Sequence, residues 1–149
     1  MAVALRLARP EDVPAITKLI EGEWMPAIEV AEWVGGFFVL DDDGNLAGCA
    51  GIEIYGEAAV IRSVVVAESL RGTGEGVRLV EQSLAYAREN GAKRCYLFTM
   101  GAVTFFPRFG FERCALDDFE PAVRDSWQYR GVSENEPLRQ SLIPMRAVL

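Results

Sequence analysis

The spacing of hydrophobic residues changes along the chain between the two-residue repeat typical of strands and the longer repeat typical of helices. In the middle of the chain, apolar runs rich in β-branched residues alternate with short turns that contain Asp, Asn and Gly. These runs predict three consecutive antiparallel strands, at Phe37 to Leu40, Leu46 to Tyr55 and Ala58 to Val66. Shorter runs predict four more strands, at Val3 to Leu7, Arg94 to Phe98, Phe111 to Cys114 and Leu142 to Val148.

Helical spacing first appears after Pro10, Glu11 and Asp12, which are residue types that favour the first turn of a helix. Later helical patterns alternate with the predicted strands. Five helices are predicted. The first opens at Arg9, the second covers Trp24 to Val34, and the third follows Gly76 and ends at a stop at Asn90-Gly91. The last two cover Gly101 to Arg108 and Asp117 to Tyr129. This order predicts a mixed α/β fold, with a central, mostly antiparallel sheet, flanking helices and a single domain over residues 1–149.

Composition and charge narrow the classes of partner. The net charge of −7 argues against nucleic acid as the main partner and against an anionic membrane surface, because both are bound by clustered Lys and Arg. No apolar run is long enough to cross a bilayer, and residues 1–10 do not have the pattern of a signal peptide. We therefore expect a cytoplasmic protein, and the sequence is compatible with a homodimer.

The absence of histidine limits the available chemistry. With 0 His residues, a Ser-His-Asp hydrolase and a zinc site with imidazole ligands are excluded within this chain. The three cysteines are widely spaced and form no Cys-x-x-Cys pair, so we expect reduced thiols and no bound metal. Catalysis would have to use carboxylates, tyrosine, cysteine, backbone amides, water or a cofactor.

A glycine-rich turn, Arg71-Gly72-Thr73-Gly74-Glu75-Gly76, lies between a predicted strand and a predicted helix. Such a turn can direct successive backbone N–H groups at one point, where the positive end of the helix dipole also lies. A pyrophosphate suits this arrangement, and Arg71 could add a charge-assisted contact. A purely structural turn is the alternative. Val77-Arg78 does not fit a P-loop, and Val77 stands where a dinucleotide-binding fingerprint needs its third glycine.

The segment Val64 to Val80 resembles the acetyl-CoA signature of the GNAT N-acetyltransferase superfamily, whose core is Arg/Gln-x-x-Gly-x-Gly/Ala. Arg6 to Asp12 resembles the start of that fold, and Phe105 to Phe111 resembles its Phe-Tyr-x-x-x-Gly-Phe segment. A narrower resemblance, to arsenic-resistance N-acetyltransferases, rests on four segments: residues 37–40, 47–53, 61–64 and 121–131. The C-terminal Ser141 to Met145 departs from that narrower group.

The resemblance implies acetyl-CoA as co-substrate, no metal, and direct attack on the thioester by the amine of a small molecule such as an amino acid. It implies that the backbone of the predicted strand before the turn binds pantetheine and that the turn binds pyrophosphate. The cofactor residues implied are Val64, Val65, Val66, Arg71, Gly72, Thr73, Gly74, Glu75 and Gly76. Phe106 stands where many members have a tyrosine that protonates the leaving thiolate. An acyl-CoA-binding sensor without turnover is therefore the alternative function.

Three further residues are candidates for the acceptor side. Glu53 is the predicted catalytic base, with Glu23 as a second candidate, although most glutamates are simply solvated. Arg62 lies among apolar residues of a predicted strand and could bind an acceptor's carboxylate or other oxyanion. A surface ion pair is the alternative for Arg62.

Overall fold

Seven strands and five α-helices lie within residues 3–149, the part of the chain that the computed structural model describes. The strands are β1 (Ala4–Leu7), β2 (Phe37–Asp42), β3 (Asn45–Tyr55), β4 (Ala58–Val66), β5 (Arg94–Thr99), β6 (Glu112–Arg113) and β7 (Ile143–Val148). The helices are α1 (Val13–Gly22), α2 (Val30–Trp33), α3 (Glu75–Glu89), α4 (Trp127–Ser133) and α5 (Glu136–Ser141).

The strands form one sheet with the hydrogen-bonded order β1-β2-β3-β4-β5-β7-β6. β4 and β5 are parallel over Ala58–Val60 and Arg94–Tyr96, whereas the β1–β2, β2–β3, β5–β7 and β6–β7 pairs are antiparallel. A parallel pair needs a long crossover, which here contains α3. The predicted mixed, mostly antiparallel sheet with flanking helices is confirmed.

Two compact units divide the chain. The first comprises Met1–Glu53 and Ile61–Tyr86. Within it, β2 is buried on both faces, because its alternate side chains contribute to two different clusters. Phe37 and Val39 pack with Ile16 and Ile20 of α1, while Phe38 and Leu40 pack with Leu79 of α3.

The second unit comprises Ile54–Val60 and Ala87–Leu149. Its core joins Val60 and Tyr96 to Phe119 and Val123, which lie between β6 and β7 in the chain. The Tyr96 hydroxyl donates a hydrogen bond to Glu120 Oε2 at 2.8 Å, and the Arg94 guanidinium forms an ion pair with the same carboxylate. Burial, aided by Glu120, raises the pKa of Tyr96 to about 12. That residues 1–149 act as one domain stays a prediction.

Three of the predicted helices are wrong in extent. Between Trp24 and Val34 only α2 is α-helical, because Trp24 and Glu29 have φ values of +60° and +56°. In place of the helix predicted at Gly101 to Arg108, the structure has a 3-10 turn at Phe106–Phe109.

The third difference is in the helix predicted at Asp117 to Tyr129. It is replaced by two 3-10 turns, Leu116–Asp118 and Pro121–Val123, followed by α4. The side chain of Ser126 accepts a hydrogen bond from the Tyr129 N–H, so this N-cap sets the start of α4. The chain then adds α5, which the hydrophobic pattern had not predicted.

Candidate functional site

The glycine-rich turn has the backbone geometry that its sequence predicts. It lies between the end of β4 and the start of α3, and Gly72 and Gly74 have φ values of +80° and +90°. A Cβ atom built on either glycine meets no atom within 4 Å. Glycine is therefore required there by backbone conformation and not by crowding. The turn is open around both positions, and its last two residues, Glu75 and Gly76, begin the 15-residue helix α3.

Side chains within the turn are held by local contacts. Thr73 donates its N–H and its hydroxyl to the carbonyl of Leu70. Glu75 accepts a hydrogen bond from Arg78 Nη1 at 2.6 Å, so its carboxylate is engaged by a residue of the same helix. Arg71 is 55% exposed and donates from Nε to the Val66 carbonyl at 3.2 Å. The exposed Arg71 guanidinium and the N-terminus of α3 fit a pyrophosphate.

The strand residues before the turn contribute their side chains to the core. Val65 packs in the cluster with Ile16 and Ile20, while Val64 and Val66 pack in the cluster with Leu79. Their side chains are thus core residues, as expected for members of a buried strand. Pantetheine binding by the backbone of these residues, as the resemblance implies, stays a prediction.

Ser63, directly before these valines, has a φ of +55°. This left-handed conformation costs a non-glycine residue on the order of 1–3 kcal/mol and persists only where its surroundings enforce it. Two contacts do so here: Cys49 Sγ donates to the Ser63 carbonyl at 3.3 Å, and Arg62 Nε donates to Ser63 Oγ at 3.0 Å. Such outliers are concentrated at functional sites.

Glu53 and Arg62, the two residues predicted on the acceptor side, form a buried ion pair with each other. Arg62 Nη1 donates to Glu53 Oε2 at 3.0 Å, and the two side chains are 3% and 0% exposed respectively. Arg62 Nη1 also donates to the Ile28 carbonyl at 2.5 Å. The structure thus corrects two alternatives considered above, since Glu53 is not a solvated carboxylate and Arg62 is not in a surface ion pair.

The burial of this pair affects the pKa values of the groups around it. Burial lowers the pKa of Arg62 from its ordinary value, and the nearby Glu53 carboxylate opposes that effect. Burial also raises the pKa of the neighbouring Cys49 to about 12, against a smaller opposing effect of Arg62. Cys49 is therefore a neutral thiol at physiological pH and is unsuited to act as a nucleophile.

Glu23, the second candidate for the base, contacts the glycine-rich turn. It caps the C-terminus of α1, is 40% exposed, and accepts a hydrogen bond from Arg71 Nη2 at 2.5 Å. This contact could not be predicted from the sequence, because the two residues are 48 positions apart and both resemble ordinary surface charges.

Phe106 is 7% exposed, and its ring packs edge-to-face on Phe105 and Phe111. Within residues 3–149, no group of three or more Cys, Asp or Glu side chains is placed to hold a metal ion. No helix in the described part of the chain has both the length and the apolar character needed to cross a membrane.

Comparison with known proteins places these features in a family. Residues 6–111 match the profile of the Acetyltransferase (GNAT) family. The chain belongs to this family. An uncharacterized N-acetyltransferase from Chlorobaculum tepidum, CT2212, is 32% identical over 127 residues, which are 80% of this chain and 81% of that protein. The expected family is therefore confirmed, whereas the narrower likeness to arsenic-resistance enzymes stays a prediction.

Two further GNAT proteins extend the comparison. An amino-acid acetyltransferase from Ralstonia nicotianae is 32% identical over 139 residues, which are 86% of this chain. The chain spans only 31% of the length of that enzyme. The crystal structure of Rv2747 from Mycobacterium tuberculosis in complex with CoA has a TM-score of 0.83 and 25% identity, and the match covers 98% of this chain and 99% of Rv2747.

These similarities confirm two predictions, that the chain is an acetyl-CoA-dependent N-acetyltransferase and that acetyl-CoA is its co-substrate. They do not test which residues act at the site. The roles expected for the cofactor residues, Glu53 and Arg62 are therefore taken up below as proposals.

Proposed function

We propose that this GNAT enzyme acetylates the amino group of an amino acid or a closely similar small molecule. The observation that carries the cofactor half is the open, positive-φ turn at Gly72 and Gly74, placed between β4 and α3. The acceptor half is supported by the 32% identity to the amino-acid acetyltransferase of Ralstonia nicotianae over 86% of this chain.

On the cofactor side, the backbone amides of Arg71 to Gly76 would bind the pyrophosphate, with Arg71 adding charge. The backbone of Val64, Val65 and Val66 would bind pantetheine, since their side chains are occupied in the core. When bound, acetyl-CoA supplies the thioester that carries the acetyl group. The helix dipole of α3 favours the negative charge of the phosphates at this end.

On the acceptor side, we infer that Glu53 and Arg62 act mainly by positioning. Arg62 lies on β4 just before the valines proposed for pantetheine, and its Nη1 donates to the carbonyl of Ile28. The pair therefore holds residues 24–29, which link α1 to α2, against the cofactor strand. The earlier roles, Arg62 as carboxylate anchor and Glu53 as base, would require this buried pair to open.

Release of CoA thiol over a panel of amines tests the acceptor class. We expect the highest kcat/KM for amino acids with an unmodified α-amino group, among acidic, neutral and basic members. N-acetylated amino acids serve as the blank, and polyamines and short peptides as competing classes. Higher kcat/KM values for polyamines or peptides would overturn the proposed acceptor. The expected cytoplasmic location, the absence of nucleic-acid or membrane partners, and a homodimer stay predictions.

The phenylalanine at position 106 favours the second candidate function, an acyl-CoA sensor without turnover. A correctly placed general acid contributes about 100- to 10,000-fold to a rate. Because a thiolate is a tolerable leaving group, we expect measurable turnover in the wild type and a change of less than about 10-fold in kcat for Phe106→Tyr.

Phe105→Tyr is the matched control, since Phe105 is adjacent to Phe106 in the chain and its ring packs on the Phe106 ring. If the wild type released no CoA with any amine and Phe106→Tyr alone created activity, the sensor function would replace the proposed one. Steady-state thiol release on all three proteins gives the answer.

A further inference from the structure

Residues 24–29, which we call the linking segment, are attached at both ends to the strand and turn proposed for the cofactor. At the first end, Glu23 accepts a hydrogen bond from Arg71 of the glycine-rich turn at 2.5 Å. At the other end, the Ile28 carbonyl accepts a hydrogen bond from Arg62 of β4, also at 2.5 Å. Two arginines that lie on either side of Val64 to Val66 thus hold one short segment.

The two attachments differ in environment. The Arg62 side chain is 3% exposed and is fixed by Glu53, whereas the side chains of Arg71 and Glu23 are 55% and 40% exposed. A half-exposed ion pair is weak and yields readily to a competing anion. The Arg62 attachment is therefore the permanent one, and the Arg71 attachment is the one that a ligand can displace.

The linking segment has left-handed backbone conformations at both ends. Trp24 and Glu29, its first and last residues, both have left-handed φ values, +60° and +56°. Non-glycine residues in this region are strained and need surrounding contacts to hold them. The Trp24 side chain is 96% exposed, whereas the backbone N–H groups of Trp24 and Met25 donate to carbonyls of α1.

We propose that Glu23 is a positioning residue that competes with the cofactor's pyrophosphate for Arg71. With no cofactor bound, Glu23 holds Arg71 and fixes the Trp24 end of the linking segment. When a pyrophosphate enters the turn, Arg71 turns to it, Glu23 is released, and the segment moves while still attached at Ile28. Cofactor binding thus sets the position of a segment that lies against the cofactor strand. This inference rests on the proposed pyrophosphate site at residues 71–76.

Calorimetry with CoA gives the first test. Glu23→Gln removes the competing charge, and the weak pair it breaks predicts about a fivefold lower Kd for CoA. Glu23→Asp keeps the carboxylate and should bind CoA with a Kd nearer the wild-type value. Glu21→Gln is the matched control, because it makes the same charge change two residues away on α1, and its Kd should stay within about twofold.

A double-variant cycle separates competition for Arg71 from simple repulsion of phosphate by Glu23. In an Arg71→Ala background, competition predicts that Glu23→Gln no longer changes the Kd for CoA. Repulsion alone predicts the same fivefold gain in both backgrounds, and that result would overturn the proposal.

Trp24 gives a direct signal of the movement. The three tryptophans are replaced by fluorotryptophan, and fluorine NMR records their resonances. The Trp24 resonance is assigned as the one that is absent from the spectrum of Trp24→Phe. We expect CoA and inorganic pyrophosphate to shift this resonance, S-acetyl-pantetheine to leave it in place, and Glu23→Gln to shift it with no ligand present. If CoA binds the wild type and the Trp24 resonance does not move, this inference is wrong and the cofactor site survives. If CoA does not bind at all, the proposed function itself fails.

Discussion

Replacing Gly74 by aspartate should raise the Kd for CoA by about 10- to 150-fold. Gly74 has a φ of +90°, a region in which a side chain adds strain of about 1 kcal/mol or more. The new carboxylate would also lie among the amides proposed to bind pyrophosphate, where the lost charge-assisted contact is worth about 1.5–3 kcal/mol. The strain lowers the stability of the protein, whereas the lost contact weakens binding and corresponds to about 10- to 150-fold in Kd. Calorimetry with CoA measures the change.

Gly44→Asp provides a matched control for the backbone effect. Gly44 has a φ of +93° in the turn between β2 and β3, and a built Cβ atom meets nothing within 4 Å, as at Gly74. Both variants should therefore lose similar unfolding free energy. Only Gly74→Asp should bind CoA more weakly. The Kd of Gly44→Asp for CoA should stay within about twofold of the wild-type value. Equal affinity for CoA in the two variants would show that pyrophosphate binds elsewhere.

The contrast between these glycines shows what a sequence can predict well. Gly72 and Gly74 have backbone conformations that other residues rarely adopt, so the shape of this turn can be predicted from a few consecutive residues. The β2–β3 and β3–β4 hairpins were predicted correctly for the same reason, because alternation and turn residues are local signals. Features that depend on contacts between distant residues gave no comparable signal.

Glu53 and Arg62 illustrate the harder case. The sequence predicts Glu53 as a base and Arg62, which lies among apolar strand residues, as an anion-binding residue, so each has a separate role toward the substrate. Their strands are joined by a two-residue turn at Gly56-Glu57, so two opposite lone charges on them could have been recognised as partners. The hydrogen bond from Arg62 to the Ile28 carbonyl could not be predicted in this way, because it depends on the path of the backbone through residues 24–29.

The missed helix α5 did carry a signal. Asn135 accepts a hydrogen bond from the Leu138 N–H, and Pro137 stands in the first turn, which is the usual start of a helix. Its short length and weak apolar face hid this pattern. The helix predicted at Trp24 failed for a different reason, since Trp24 and Glu29 have left-handed φ values, which interrupt a helix.

Replacing Glu53 by glutamine should lower the free energy of unfolding by about 3–5 kcal/mol, because it leaves the charge of Arg62 buried with no carboxylate beside it. Arg62→Ala should have a loss of similar size. The double variant Glu53→Leu/Arg62→Met replaces the pair by apolar side chains of comparable volume and should recover most of that stability. Urea denaturation of the four proteins measures these differences.

Kinetics on the same proteins separate positioning from catalysis by Glu53. In the double variant, folding is restored but the Ile28 carbonyl has lost its donor, so we expect a raised KM for the amino-acid acceptor and a smaller change in kcat. If Glu53 is the base, every variant that lacks it should lose about 100- to 10,000-fold in kcat and the acidic limb of its pH profile. Arg62→Lys keeps a donor on β4 and should recover part of the acceptor KM while the pH profile keeps its shape. A normal acceptor KM in a stable double variant would show that the pair serves folding alone. The cofactor site would be unaffected by that result, because it depends on the glycine-rich turn.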